Sequence, residues 1–150
     1  MIINGEDLLQ AAPIKNMVKS KQTAFGTSWG LTECGYDVRL AQDTWLFFGK
    51  RFALKSSVEE FDVPKTLMGR VLNKSTWARR GIDASMTTNV EPGWKGFLTI
   101  ELRYSGFWPI KIKAGSGIAQ IIFEQVKNPA QYDGKYQHQA NKPVKAIESK

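Results

Sequence analysis

Two segments decide how the rest of the chain is read: residues 74–81, KSTWARRG, and residues 91–102, EPGWKGFLTIEL. In the first, two hydroxyls sit between the cations Lys74 and Arg79. If Ser75 or Thr76 caps a short helical turn that Gly81 closes, free backbone N–H groups point outward beside those cations. Such a turn suits a phosphate. In the second, Pro92-Gly93 predicts a turn and residues 97–102 alternate as a strand. Leu98, Ile100 and Leu102 then share one face, and Phe97, Thr99 and Glu101 the other. A carboxylate in mid-strand among apolar neighbours is costly unless it is paired or working. An anion cradle and a costly carboxylate in one span predict a nucleotide site with a proton-transfer group.

Outward from this region the pattern is one of short strands. Residues 2–12 read as a helix with Asn4 as cap and Asp7 at its third position. Residues 13–30 are weakly patterned and predict a loop. Residues 33–40 begin a strand-rich region, with Val38 and Leu40 on one face and Asp37 and Arg39 on the other. Residues 44–48 and 51–54 flank a hairpin turn at Gly49-Lys50. Residues 67–72, 110–113 and 118–126 predict further strands, with a turn at 114–117, and 83–90 reads as a polar extended segment. Frequent Gly and Pro turns with only brief helical signals predict an all-β barrel or sandwich. No linker or repeat divides the chain, so a single domain over 1–150 is expected. From about residue 128 to 150 the composition turns polar and by itself reads as a frayed tail.

Composition removes several chemistries. The chain's 150 residues, 42% of them hydrophobic, suit one domain with a core. No apolar run approaches membrane-spanning length, and Glu6 and Asp7 stand where a leader needs apolar residues. A cytoplasmic protein is expected, and the lone Cys34 fits a reducing compartment. With one His (His138) and one Cys, neither a zinc centre nor the H-x-E, P-C-x-x-C pattern of zinc deaminases can be assembled. A net charge of +7 points to an anionic partner, nucleic acid or a small polyphosphate. The basic residues are spread out, without the dense run of a nucleic-acid arm.

The segments KSTWARRG, EPGWKGFLTIEL, PIKIKAGSGIAQIIFE (109–124) and DGKYQHQ (133–139) resemble dCTP deaminases of the dUTPase-like superfamily. GYDVRL (35–40) is similar too, and IINGEDL (2–8) loosely matches the family's opening helix. The resemblance runs from Leu67 to Gln139 in order. It implies a mainly β, distorted dUTPase-like barrel with short helices, a homotrimer with sites shared between neighbours, and zinc-independent conversion of dCTP to dUTP and ammonia.

By motif, Glu101 corresponds to the acid/base. Lys74, Ser75, Thr76, Trp77, Ala78 and Arg79 wrap the triphosphate, Ser75 holding the water and Arg79 fixing Glu101 or phosphate. Thr99, Ile100 and Glu101 line the base pocket, Glu91 lies near the sugar, and Gln120 contacts phosphate. Lys135 and Gln139 close over the nucleotide with a tail tyrosine, for which Tyr132 stands nearer to KYQ than in the family. Trp77 and Trp94 read as packing residues and Arg80 as surface.

Mg²⁺ is expected to arrive on the substrate triphosphate, since no acidic cluster in the sequence would hold it unaided, and no resident metal is expected. The partners that the resemblance implies are dCTP and dUTP, with dTTP as a candidate inhibitor, and neither nucleic acid nor membrane. Competing readings are a dUTPase or bifunctional enzyme, a non-catalytic nucleotide regulator, and a single-stranded nucleic-acid binder. A dUTPase would be expected to show an acidic-x-Asp-Tyr loop and a Gly-rich tail motif; this chain has Glu91-Pro92-Gly93-Trp94 and GKYQ instead.

Overall fold

The computed structural model describes residues 1–149. In chain order the strands are β1 (Ile2–Ile3), β2 (Gln22–Ala24), β3 (Thr27–Leu31), β4 (Tyr36–Arg39), β5 (Thr44–Leu46), β6 (Phe52–Asp62), β7 (Leu67–Asn73), β8 (Ile82–Asp83), β9 (Asn89–Val90), β10 (Lys95–Tyr104), β11 (Ile110–Ile112) and β12 (Gly117–Gln125). The helices are α1 (Gly5–Ala11) and α2 (Ser75–Ala78), with a 3-10 turn at Ser85–Thr87.

One sheet runs β2-β3-β4-β12-β7-β9, with β1 added to β12; a second runs β6-β10-β8; β5 and β11 form a ribbon. All strand pairs are antiparallel. Alternation explains the layers. In β10 Leu98, Ile100 and Leu102 point into the core, and in β12 Ile121 and Phe123 do so while Ile122 and Glu124 face out. These inward residues meet Val38, Leu40 and Phe61 in one buried cluster. Each large side chain so buried contributes about 1.5–3 kcal/mol. The expected all-β barrel is what the chain forms.

Several local expectations differ, for identifiable reasons. Residues 13–30, read as a loop, contain the β2–β3 hairpin. Its turn, Phe25-Gly26, has both φ angles positive (50° and 76°), as a type I′ turn requires. Phe is a poor residue for that conformation, so no turn signal was visible. At the N-terminus Ile2 and Ile3 pair with β12, and the helix begins only at Gly5. Asn4 occupies the cap position, yet its side chain donates to the Glu33 carbonyl (2.8 Å) and caps nothing. Phe47 and Lys50 close a tight turn at Phe48-Gly49, one residue earlier than expected. The flanking strands then pair with β11 and β10, not with each other.

β6 extends eleven residues, well past the expected Leu54, because its polar residues are buried with partners. Ser56 bonds Gln42, Ser57 accepts from Leu98 N, and the Glu59 carboxylate receives the Arg39 backbone N–H and Nε. A hydrophobicity period cannot register buried polar groups that satisfy one another. Residues 83–90 are not one extended segment either, since the 3-10 turn lies between β8 and β9.

The polar tail also departs from its composition. His138 N donates to Lys95 O (2.9 Å), Phe97 N to Gln139 O (3.0 Å), and Trp94 Nε1 to Tyr136 O (2.7 Å). The tail is laid against the start of β10 by backbone hydrogen bonds, for which side-chain polarity is no obstacle. Gly96 permits this approach. Its φ is +131°, and a Cβ there would stand 2.6 Å from the Gln139 nitrogen. Gly96→Ala is expected to unseat the tail, speeding limited proteolysis after residue 128 by about tenfold or more, given strain of about 1–3 kcal/mol. Unchanged cleavage would show that the tail is held elsewhere.

Candidate active site

The outward face of β10 forms the floor of a cleft of about 440 Å³. Thr99 and Glu101 rise from it, Phe52 and Leu54 of β6 stand beside them, and residues 87–91 form a wall. The tail supplies the roof through Tyr132, Tyr136, Gln139, Val144 and Ala146. Thr99 Oγ1 donates to Gln139 Oε1 (3.0 Å) and accepts from Val144 N (3.0 Å), tying floor to roof. Glu101 N donates to Thr87 Oγ1 (2.9 Å), which hooks the wall to the floor.

The Glu101 carboxylate is half-buried and, among the described residues, has no ion pair or hydrogen-bond partner. Burial accordingly pushes its pKa above the ordinary glutamate value. Such a carboxyl is a candidate proton carrier, because its affinity for a proton moves toward neutral pH.

The cationic turn lies elsewhere. None of residues 74–79 lines this cleft. Ser75 is the first residue of α2, not its cap; Lys74 holds the cap position, and no side chain caps the turn. Gly81, at φ +81°, ends it as expected. Lys74 is not free for phosphate. Its side chain is 10% exposed, and its ammonium is paired with Asp37 and donates to Ser28 Oγ (2.8 Å).

Asp37, on the strand face opposite Val38 and Leu40, is only 2% exposed. Trp77 is buried and donates Nε1 to Gly117 O (2.7 Å), which makes it a packing residue with no face for a base. Ser75, Ala78 and Arg79 are exposed and Thr76 is half-buried, so this edge of the turn faces outward. Gln120 stands opposite Asp37 in register and donates to Thr32 Oγ1 (3.1 Å). Ser28, Thr32, Asp37, Lys74 and Gln120 therefore make a second polar group, on the other sheet.

Two further placements differ from expectation. The Ile100 side chain is fully buried in the core and does not line this cleft. Lys135 is exposed outside the cleft, its Nζ 3.3 Å from Ser149 Oγ and above the Tyr136 ring. Glu91 and Tyr132 do line the cleft, the latter despite its shifted spacing. The sequence offered little sign of Thr87, Tyr136, Val144 or Asp37, which are set by contacts with distant segments.

The antiparallel sheets packed around one core make a dUTPase-like fold, shared with solved structures. The native dUTPase of EIAV superposes with a TM-score of 0.57 at 20% identity, covering 85% of this chain and 96% of that one. A 2'-deoxycytidine 5'-triphosphate deaminase from Agrobacterium tumefaciens superposes with a TM-score of 0.58 at 16% identity. It matches 84% of this chain, which spans 49% of that one. At such identities these likenesses speak for the fold.

Sequence narrows the class. A dCTP deaminase-like family model matches residues 45–126. A dCTP deaminase of Acidobacterium capsulatum is 30% identical over 176 aligned positions, covering 93% of this chain and 96% of the relative. The chain belongs to the dCTP deaminase-like family.

Proposed function

We propose that this protein hydrolyses dCTP to dUTP and ammonia, with Glu101 as the proton-transfer group. The observation that carries this is an unpaired, half-buried carboxylate with a raised pKa on the floor of a nucleotide-sized cleft. Water adds to C4 of the cytosine as Glu101 takes its proton. Glu101 passes that proton to N3, then takes the proton of the new C4 hydroxyl and gives it to the exocyclic amine, so that the C4–N bond breaks as the C4 carbonyl forms and ammonia leaves. Thr99 and Gln139, hydrogen-bonded to each other across the cleft, would meet the edge of the base. Glu91 at the mouth would face the sugar. Zinc is assigned no part, since the chain has one His and one Cys to offer a soft-ligand centre. Mg²⁺ enters as part of the substrate triphosphate.

The outward turn with Ser75 and Arg79 would complete the cleft of a neighbouring copy in a homotrimer. Supporting this is the separation of turn and cleft within one chain. The chain acts as one domain whose tail, from about residue 128, closes the site, and dTTP is a candidate inhibitor of the same cleft. We place the protein in the cytoplasm on the lone exposed Cys34. No helix among the described residues is long and apolar enough to cross a membrane.

Incubation with dCTP and Mg²⁺, followed by separation of dUTP, dUMP and ammonia, is expected to yield dUTP with equimolar ammonia. Appearance of dUMP would make the enzyme bifunctional, and binding without turnover would sink the proposal. Since Glu101 must be ionised to accept the water proton, kcat/KM is expected to fall with acidification through an apparent pKa above the ordinary glutamate range. A profile flat down to pH 4 would remove Glu101 from the role.

Mixing two inactive variants, Glu101→Gln and Arg79→Ala, should regenerate about a quarter of the sites in randomly assorted trimers. No recovery after subunit exchange would place the whole site within one chain.

A further inference from the structure

An aromatic ledge on the β5–β11 side of the molecule has no part in the cleft chemistry. Phe48 is 60% exposed, Phe107 59% and Trp108 77%. The Phe48 and Phe107 rings lie 5.1 Å apart, and the Phe107 and Trp108 rings 5.4 Å. The backbone holds the ledge in place: Phe48 N donates to Phe107 O (3.3 Å), and Tyr104 Oη donates to Trp108 O (2.7 Å). Exposed aromatic surface of this kind marks an interaction site.

The ledge is bordered by positive charge. The Arg51 guanidinium lies 4.8 Å from the Phe48 ring centre, and Lys50 precedes it in the chain. Across the ribbon the Lys111 ammonium lies 5.8 Å from the half-exposed Trp45 ring. Asp43, 3.0 Å from Lys111, offsets one of these charges.

We propose that this ledge binds single-stranded nucleic acid, bases stacking on Phe48, Phe107 and Trp108 while Lys50, Arg51 and Lys111 meet the phosphates. Rings flanked by cations are the common means of holding a strand without reading its sequence. Duplex bases are already stacked on one another and offer these rings no face. A second copy meeting the patch across a two-fold axis would bring Lys50 and Arg51 against their like charges. The sequence carries no basic-aromatic run; strand pairing of Trp45 with Lys111 gathers segments more than fifty residues apart. The inference does not depend on the chemistry proposed for the cleft.

Fluorescence anisotropy of a labelled 15-residue oligo-dT with the full chain tests it, read alongside tryptophan emission. Expected are binding at low salt, a slope of log K against log salt of about −2 for three phosphate contacts, and quenching of Trp108. The Phe48→Ala/Trp108→Ala double variant should weaken binding by about tenfold or more and lose the quenching. Its dCTP binding and sedimentation should be unchanged. Any of four results overturns the proposal: no binding at low salt, a duplex bound as tightly, displacement of the oligonucleotide by dCTP, or polyglutamate competing equally. A double variant whose sedimentation falls would instead mark the ledge as a contact between copies.

Discussion

Glu101→Gln is expected to bind dCTP with little change and to lose about 10²- to 10⁴-fold in turnover, the usual worth of a positioned acid/base. The amide keeps the shape of the carboxylate and can still hydrogen-bond the base, but it accepts no proton from water. A companion effect on stability separates this from mere damage. The folded-state pKa of Glu101 is raised by burial, so the folded chain holds this proton more tightly than the unfolded one. The stability linked to it is fully present below the unfolded pKa and is lost as pH rises through the folded value. Above that window the wild type holds a charge in a site that disfavours it, whereas glutamine carries none. The variant should therefore be more stable than wild type at pH 7 and should lose this advantage near pH 4. Denaturant unfolding at both values checks it. A variant that is inactive and also less stable at pH 7 would indicate a structural role for the carboxylate.

Asp37→Ala is expected to cost about 3–5 kcal/mol, the usual penalty for stripping the partner from a buried ion pair. Lys74 would keep only Ser28 Oγ while its side chain remained largely buried. The loss should appear as a large drop in the urea midpoint with an unchanged slope. Replacing both members, Asp37→Leu with Lys74→Met, should recover most of the stability, because no charge is then left without a partner. If Asp37→Ala unfolds like wild type, Lys74 swings out to solvent and regains its eligibility as a phosphate ligand. The measurement thus decides between two destinations for one ammonium group.

The candidate site was legible where its chemistry is written in adjacent residues. Glu101 stood out because alternation placed a carboxylate between Ile100 and Leu102, and the structure sets it on the cleft floor. Gly81 likewise announced the end of the turn. Lys74 misled for the opposite reason. A lysine beside two hydroxyls looks like an anion ligand, and nothing nearby in the chain announces Asp37. Ile100 was assigned to the base pocket with its neighbours, yet alternation had already turned its side chain into the core. Composition alone read the tail as frayed because it reports on side chains, whereas docking uses backbone donors and acceptors; the family resemblance had already implied a tail closing over the site.

By itself the sequence determined the strands β7, β10 and β12, the inward face of β10, a mainly β fold and the carboxylate at the centre of the proposed chemistry. Each of these follows from a period of two or from a turn residue, both local properties of the chain. Tertiary structure alone decided that Lys74 neutralises Asp37, that the cationic turn lies outside the Glu101 cleft, and that distant rings and cations share one ledge. Those outcomes depend on which groups reach one another across the fold, since burying a polar or charged group is tolerable only when its partner arrives too.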